Sequence, residues 1–475
     1  MDGSGDQQKT KKRVAVVGAG LVGALNACFL AKRGYQVDLY ELRQDPRKCE
    51  FVKGRSINLA LSHRGRQALK HVGLEDKVIE NGIRMSGRRL HDERGFKWTS
   101  PYGKPDQFLM SVERRRLNEE LLTAAEKLPD VNVHFEKKLV SCHFDSGQLA
   151  FLDVNSNEKV DVEADLIIGT DGAFSTIRRE LMKRIRFDFN QEYIPHGYME
   201  FCIPPKEGEF AMEVNFLHIW PRNTFMMIAL PNLDKTFTVT LFMPFTNFEA
   251  IKTEEQLMGF FATTFPDAIP LIGEKAIKET YFKSGGVGLP MVSVKSSPHH
   301  YKDKSVIMGD AAHALVPFYG QGMNCGFEDC LVLDECLDEC HDNLEAALAL
   351  YSKRRCPDAH AICDLAMYNY IEMRESVNSK IYYLRKKFDS LMNKLIPNSW
   401  IPLYTMVTFT RLRYSECIKR KKYQDKLING MVVSTGLGTL VGGGYFTYRL
   451  LKAGVLPSNV WETFASFGQK MGKLF

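Results

Sequence analysis

No strong excess of charge of either sign marks this chain: 63 Lys and Arg against 57 Asp and Glu leave a net charge of +6 over 475 residues. Much of that excess sits in two local runs, Lys9-Thr10-Lys11-Lys12-Arg13 and Lys419-Arg420-Lys421-Lys422. Neither run is interleaved with aromatics, so no nucleic-acid partner is expected and the runs read as solvated or membrane-facing surface. Paired C-x-x-C knuckles are missing too. The densest thiol group, Cys325, Cys330, Cys336, Cys340 and His341, is spaced by helix turns, so no metal site is expected there. Residues 1–10 are polar and lack the apolar core of a secretory signal, and the 11 cysteines are an odd number. Both features lead us to expect a reducing compartment for the folded domain. The sequence also lacks an internal repeat, a low-complexity linker and a Ser-His-Asp or Cys-His signature, so no protein nucleophile is expected.

What is present is ordinary globular composition, 44% hydrophobic and 25% charged, with enough length for two or three domains. From Arg13 onward, apolar strand runs alternate with amphipathic helix runs, the pattern of a parallel sheet covered by helices. Residues 13–17 and 36–41 read as strands, 21–33 and 114–128 as helices, and 131–135 and 149–154 as further strands. After Phe187 the character changes. Residues 216–220, 224–230 and 236–243 are aromatic, strand-like runs separated by turns, which predicts an antiparallel second layer. The first pattern returns at Ser305-Val306-Ile307-Met308-Gly309-Asp310. A helical segment is then expected from about Phe327 to Trp400, broken near Pro357. The fold class is therefore α/β: a Rossmann-type domain made of residues 1–187 and 297–345, an antiparallel β-sheet domain over 188–296, a helical segment over 346–426 and a tail from 427 to 475.

Gly18-Ala19-Gly20-Leu21-Val22-Gly23 follows a strand and opens a helix, the context that gives a G-x-G-x-x-G run meaning. Gly18 permits the tight turn, Gly20 lets backbone amides approach a pyrophosphate, and Gly23 lets the helix pack close to the strand. The helix N-terminus adds partial positive charge. Glu41 ends the second strand about twenty residues on, where a carboxylate can accept hydrogen bonds from ribose hydroxyls. Together these features predict dinucleotide binding without distinguishing NAD from FAD.

Two later segments make that distinction. Residues 165–179 form an apolar strand ending in Asp171-Gly172 before a helix. Residues 305–313 repeat the arrangement with Gly309-Asp310-Ala311-Ala312-His313, and Gly320-Gln321-Gly322-Met323-Asn324 opens the next helix. The set of glycine fingerprint, D-G and G-D-A-A-H resembles the single-component flavoprotein aromatic hydroxylases, whose fold holds FAD on one Rossmann unit without a separate nicotinamide domain. No second fingerprint stands in strand–helix context here. The resemblance implies that Asp310 reaches the ribityl chain and that Met323 and Asn324 present backbone amides to the flavin ring. It also places Val22, Arg43, Ala60, Leu139 and Asp171 at the cofactor. Arg114 opens a helix where the family sets an arginine against FAD, although Arg115 and Arg116 leave the register open.

Longer runs carry a narrower likeness. Residues 54–65, 193–200, 218–230, 367–374 and 401–406 resemble the kynurenine-hydroxylating branch of that family. This implies NADPH- and O2-dependent hydroxylation of L-kynurenine at its ring 3-position to 3-hydroxykynurenine, through a flavin C4a-hydroperoxide, in tryptophan catabolism toward NAD biosynthesis. FAD would be bound and NADPH a co-substrate, with no catalytic residue supplied by the protein. The substrate carboxylate would meet Arg88, with Arg89 as the adjacent alternative, and Tyr102; Asn369 and Tyr404 would close the pocket from the opposite side. Pro317 and Phe318 either line the flavin and ring pocket or pack the core. Two other classes stay open: a flavin reductase acting on a lipid, and a flavin-bearing membrane scaffold. Residues 427–448 carry no charge and, at roughly 22 residues, are about long enough to cross a bilayer core, so membrane attachment by the tail is expected. By resemblance the membrane is the mitochondrial outer one, with the catalytic domain facing the cytosol. Oligomeric state leaves no mark in the sequence.

Overall fold

The computed structural model describes residues 11–49, 58–374 and 380–453. Residues 1–10, the first four residues of the 54–65 run and the tail beyond 453 lie outside the described residues.

The strand Arg13–Val17 sits inside a six-stranded sheet, paired in parallel with Gln36–Tyr40 on one side and Leu166–Gly169 on the other. Val131–His134 and Ser305–Ile307 extend it in parallel, and His300–Tyr301 closes one edge antiparallel. Four of the five residues of Arg13–Val17 are buried, because both faces of a parallel sheet are covered. Helices Leu21–Lys32, Arg114–Glu126 and Gly322–Glu339 share one apolar core with this sheet. On the other side, the antiparallel meander Lys137–His143, Gln148–Asp153 and Lys159–Glu163 contributes to a second core cluster around Tyr40, Phe144 and Phe151.

The predicted second layer is a seven-stranded sheet. Its order is Leu289–Ser297, Asp188–Ile203, Phe237–Pro244, Phe225–Pro231, Phe216–Arg222, Gly87–His91 and Lys97–Pro101. Helices Glu254–Thr264 and Glu274–Lys283 bury Phe261, Ile277 and Tyr281 in the core shared with that sheet. Thr253 starts the first of them with a reciprocal cap: its hydroxyl accepts from Gln256 N–H, while Gln256 Oε1 accepts from Thr253 N–H. Two strands of this sheet, Gly87–His91 and Lys97–Pro101, come from the segment read in sequence as part of the Rossmann domain. A charged Gly-Arg-Arg start hides the first of them from an apolar-run search.

The helical segment also differs from expectation at Pro357. The helix Leu344–Arg374 runs through that proline, and the break falls earlier, at His341 and Asp342, which both adopt left-handed φ values of 49° and 58°. An interior proline costs about 3 kcal/mol. Flanking residues of the same turn hold the helix in place: Arg355 bonds to Asp329 and Glu328, and Asp358 accepts from Arg413 and Ser415. The charge-free residues 427–448 lie within the helix Tyr414–Lys452. Among the described residues, no helix is long and apolar enough to cross a membrane. Chain contacts divide the molecule into residues 1–417 and 418–475.

Candidate functional site

The strand Arg13–Val17 delivers its glycine turn at the end where its two parallel neighbours also stop. Gly18 has φ +103°, and a Cβ there would lie 2.5 Å from Thr170 O; one on Gly23 would lie 1.9 Å from Gly18 O. The chain's own packing therefore demands both glycines. Gly20 is different. A Cβ there would meet nothing within 4 Å, and the same holds for Gly322 at the start of the helix Gly322–Glu339. Open space at a glycine on a helix N-terminus is what the close approach of a phosphate requires, so these residues fit a dinucleotide. Glu41 stands beside the turn, accepting from Ala19 N–H at 2.9 Å and from Arg43 N–H at 3.0 Å. The Arg43 side chain is exposed. Val22 packs toward Gly309 and Gly326, which fixes the first helix against the Gly309-Asp310 turn.

Asp310 is exposed, yet enough protein surrounds it that desolvation raises its pKa, opposed by the positive charge of Arg114. A carboxylate that is open to solvent but ringed by protein lies in a cleft rather than on the outer surface. Among the described residues it accepts no hydrogen bond, so it does not cap its short helix, whose cap position Gly309 also makes no side-chain bond. Arg114 faces Asp310, whereas Arg115 donates to Glu119 and to the carbonyls of Pro46 and Cys49. Of these two arginines, it is Arg114 whose charge acts on Asp310.

The remaining candidates divide by what their side chains do. Asn324 is fully buried: its Oδ1 accepts from Ser62 N–H at 2.8 Å and its Nδ2 donates to Ala60 O at 2.9 Å and Gly320 O at 2.7 Å. The side chain thus ties the strand Asn58–Leu61 to the Gly-rich turn, and Met323 beside it is also buried. The Asp171 carboxylate accepts from Ser175 Oγ, Thr176 N–H and Ile177 N–H, so it holds a helix start. Leu139 is packed with Tyr40 and Phe151 in a core cluster. For these two the side chain is occupied structurally.

Sequence reading missed the buried ionic chain behind Asp310. Asp329 accepts from Gly309 N–H at 2.8 Å, pairs with His313 Nε2 at 2.7 Å and accepts from Arg355 Nε at 2.8 Å. Arg355 continues to Glu328 at 3.1 Å, and Glu328 to Arg64 at 2.7 Å. Arg64 donates to the carbonyls of Val407 and Leu412 and lies 3.9 Å from the Tyr414 ring centre. Burial alone would push the Asp329 pKa up, but His313 and Arg355 lower it. His313, Cys325 and Asp329 lie close enough to share a metal ion, but Arg355 already donates to both Cys325 Sγ and Asp329, placing a cation among them. All 11 cysteines are free thiols.

The substrate-side candidates meet at the edge of the seven-stranded sheet. Side chains alternate faces along Gly87–His91. Arg88 points inward and is buried, while Arg89 points to the other face and pairs with Glu213. The Arg88 guanidinium lies 4.2 Å from the Tyr404 ring centre, and the Tyr102 and Tyr404 rings stack at 5.7 Å. Arg88 Nε and Tyr102 Oη are both buried without a hydrogen-bond partner. Burial opposes the Arg88 charge, but the surrounding Tyr404, Tyr102 and Tyr382 hydroxyls and the Glu372 carboxylate raise its pKa. Asn369 does not join this group; its Nδ2 donates to Phe318 O at 2.8 Å. Phe318 is buried, stacked on Tyr370 at 3.7 Å and edge-on to Phe242 at 5.1 Å, while Pro317 is exposed. Tyr319 stacks on Tyr404 at 5.6 Å, so the turn between Asp310 and Gly322 reaches the aromatic group around Arg88. Behind Arg88 the strand is fixed by a second missed cluster, with His91 2.6 Å from Asp267 and 2.9 Å from His218.

Residues 11–366 match the FAD binding domain family. The chain is 53% identical over 438 residues to kynurenine 3-monooxygenase of Sus scrofa, covering 92% of each protein. It is 52% identical to that of Anopheles gambiae, covering 93% of this chain and 91% of the relative. The Candida albicans protein of the same name is 41% identical, with 94% and 98% covered. Among solved structures, 2-methyl-3-hydroxypyridine-5-carboxylic acid oxygenase superposes with a TM-score of 0.62 at 21% identity, covering 75% of this chain and 90% of that one. Pseudomonas aeruginosa PqsL in complex with 2-aminobenzoylacetate also gives 0.62, at 19% identity, with 77% and 97% covered. These structural likenesses establish the fold, a Rossmann-type FAD-binding domain with a β-sheet layer and a helical C-terminal part.

Proposed function

This chain belongs to the kynurenine 3-monooxygenase family, and from that premise we propose that it hydroxylates L-kynurenine at the ring 3-position, consuming NADPH and O2, with the substrate carboxylate held by Arg88 and Tyr102. The observation that carries the pose is the pair of orphaned buried groups, Arg88 Nε and Tyr102 Oη, beside the Tyr404 ring. A buried donor without a partner costs free energy, and a ligand carboxylate removes that cost while accepting charge-assisted hydrogen bonds.

When bound, FAD supplies the redox chemistry: it takes two electrons from NADPH and activates O2 for transfer of one oxygen atom. The protein's residues bind, orient and shield. Gly18, Gly20, Glu41, Arg114, Asp310, Gly322 and the backbone of Met323 and Asn324 would hold the dinucleotide. With the carboxylate anchored at Arg88, the aromatic end of the substrate points toward the turn carrying Phe318, whose ring is kept in place by Tyr370 and Phe242. Asn369 fixes the backbone of that turn through Phe318 O. The substrate's own aromatic amine activates the carbon ortho to it, so the chemistry needs orientation and a dry site more than a protein base. The expected result is substrate-stimulated NADPH consumption with matching O2 uptake and formation of 3-hydroxykynurenine. A purified, flavin-loaded protein whose NADPH oxidation does not respond to kynurenine would overturn the reading.

We further propose that the tail attaches the enzyme to the mitochondrial outer membrane, with the catalytic region facing the cytosol. Support comes from the charge-free residues 427–448 within a long helix, preceded by the basic run at 419–422. Met431, Val433, Tyr445, Phe446 and Tyr448 on that helix are exposed. Such a surface suits an interfacial helix next to anionic headgroups. Truncation after Lys426 is expected to move the protein from the membrane pellet to the supernatant on fractionation. Full-length protein found in the supernatant without detergent would end the proposal.

A further inference from the structure

Lys386 is a partly buried lysine outside the set of residues assigned to the site. It lies on the helix Lys380–Leu395, and its Nζ donates at 2.7 Å to the Oγ of Ser100, the strand partner of Arg88. Arg88, Ser100, Met373, Tyr383 and Lys386 line a narrow cleft. Among the described residues neither Arg88 nor Lys386 forms an ion pair, although Glu372 lies near both. The Glu372 carboxylate accepts from Tyr382 Oη at 2.8 Å. Two cations facing one carboxylate leave this cleft with a positive balance, and Arg88 Nε remains unpartnered within it.

We propose that Lys386 is a specificity-determining residue, forming with Arg88 an outer subsite for the carboxylate of an amino-acid substrate. The proposal rests on the assignment of Arg88 to that carboxylate. A lysine taken out of water without a counter-ion is disfavoured, and an incoming carboxylate offsets that cost while leaving through the same cleft stays possible. Lys386 would therefore contribute to capture of the anionic end of the substrate, with the deeper Arg88–Tyr102 pair fixing its final position.

The environment of Lys386 gives this role a pH signature. Its pKa is lowered to about 8, chiefly by burial and also by the charge of Arg88, with Glu372 opposing both. The charged groups facing it are Arg88 from the sheet and Glu372 from the helix Leu344–Arg374; Tyr382 and Tyr383 stand on its own helix, and burial pushes Tyr382 upward. Lys386 thus binds a carboxylate best below about pH 8 and loses that ability as the pH rises through its pKa.

The test is steady-state kinetics of Lys386→Met and Lys386→Arg holoenzymes on kynurenine and on its decarboxylated analogue, between pH 7 and pH 9. For Lys386→Met the KM for kynurenine should rise about three- to tenfold at pH 7, with the effect falling on KM rather than kcat. The analogue's KM should not move. The wild-type rise in KM toward pH 9 should flatten in Lys386→Met, and Lys386→Arg should keep a low KM across the range. Titration of the substrate ammonium is common to all three proteins and cancels in the comparison. Equal losses on both substrates, or a pH profile unchanged in Lys386→Met, would overturn the proposal. Absence of kynurenine turnover in the wild type would instead sink the underlying substrate assignment, and Lys386→Arg with its flavin absorbance shows whether the site tolerates substitution.

Discussion

Arg88→Ala is expected to raise the KM for kynurenine by roughly ten- to more than a hundredfold, because a hydrogen bond to a charged group contributes about 1.5–3 kcal/mol and each 1.4 kcal/mol is tenfold. Arg88 is buried, stacked on Tyr404 and short of a partner at Nε, so its loss is not made good by water. Arg89→Ala is the control. Arg89 points to the opposite face, where it pairs with Glu213 and Thr99, and exposed pairs of that kind contribute about 0–1 kcal/mol. Flavin occupancy should be unchanged in both variants, since Arg88 lies on the seven-stranded sheet rather than at the glycine turn. The measurement that decides is the ratio of KM values for kynurenine and a decarboxylated analogue. If Arg88→Ala weakens both ligands equally, or if carboxylate dependence appears only in Arg89→Ala, Arg88 is not the carboxylate ligand.

The contrast between Arg88 and Arg89 also shows what one sequence can reveal. Strand alternation separates the two residues at once, but only after Gly87–His91 is known to be a strand, and its charged start conceals that. The glycine turn was legible because its requirements are local: Gly18, Gly20 and Gly23 answer to backbone geometry within a few residues, and Glu41 to the end of the adjacent strand. The ionic chain through Asp329, Arg355, Glu328 and Arg64 was not legible. Arg64 and Glu328 are separated by 264 positions, and neither carries a motif that announces the other. Lys386 was hidden for the same reason, since it meets Ser100 across 286 positions. Pro357 misled because its local preference is real and is overruled by the ion pairs on either side of it. The resemblance set Asn369 to close the pocket from the side opposite Arg88, and only packing shows that its side chain donates to Phe318 O.

Asp310 offers the prediction with the largest expected effect on the cofactor. Asp310→Ala should yield folded protein without bound flavin, read as loss of the yellow absorbance after purification and as a thermal transition that no longer rises with added FAD. The reason lies in the position of the carboxylate: it opens into the cleft, faces Arg114 and accepts no hydrogen bond among the described residues. Its backbone is held from behind by other groups, with Asp329 bonded to Gly309 N–H and to His313. Replacing the Asp310 side chain should therefore leave the turn in place. The sign of the stability change distinguishes this role from helix capping. Desolvation raises the Asp310 pKa in the folded chain, so the unfolded chain ionises first and the carboxylate opposes folding as the pH rises above its unfolded pKa. In the flavin-free protein, Asp310→Asn should accordingly hold or raise the melting temperature at neutral pH, and the gain should fade as the pH falls below the unfolded carboxylate range. A helix-capping aspartate predicts the reverse, a loss on substitution. Retention of full flavin occupancy in Asp310→Ala would remove Asp310 from the cofactor site. A lowered melting temperature of flavin-free Asp310→Asn would assign it to the scaffold instead.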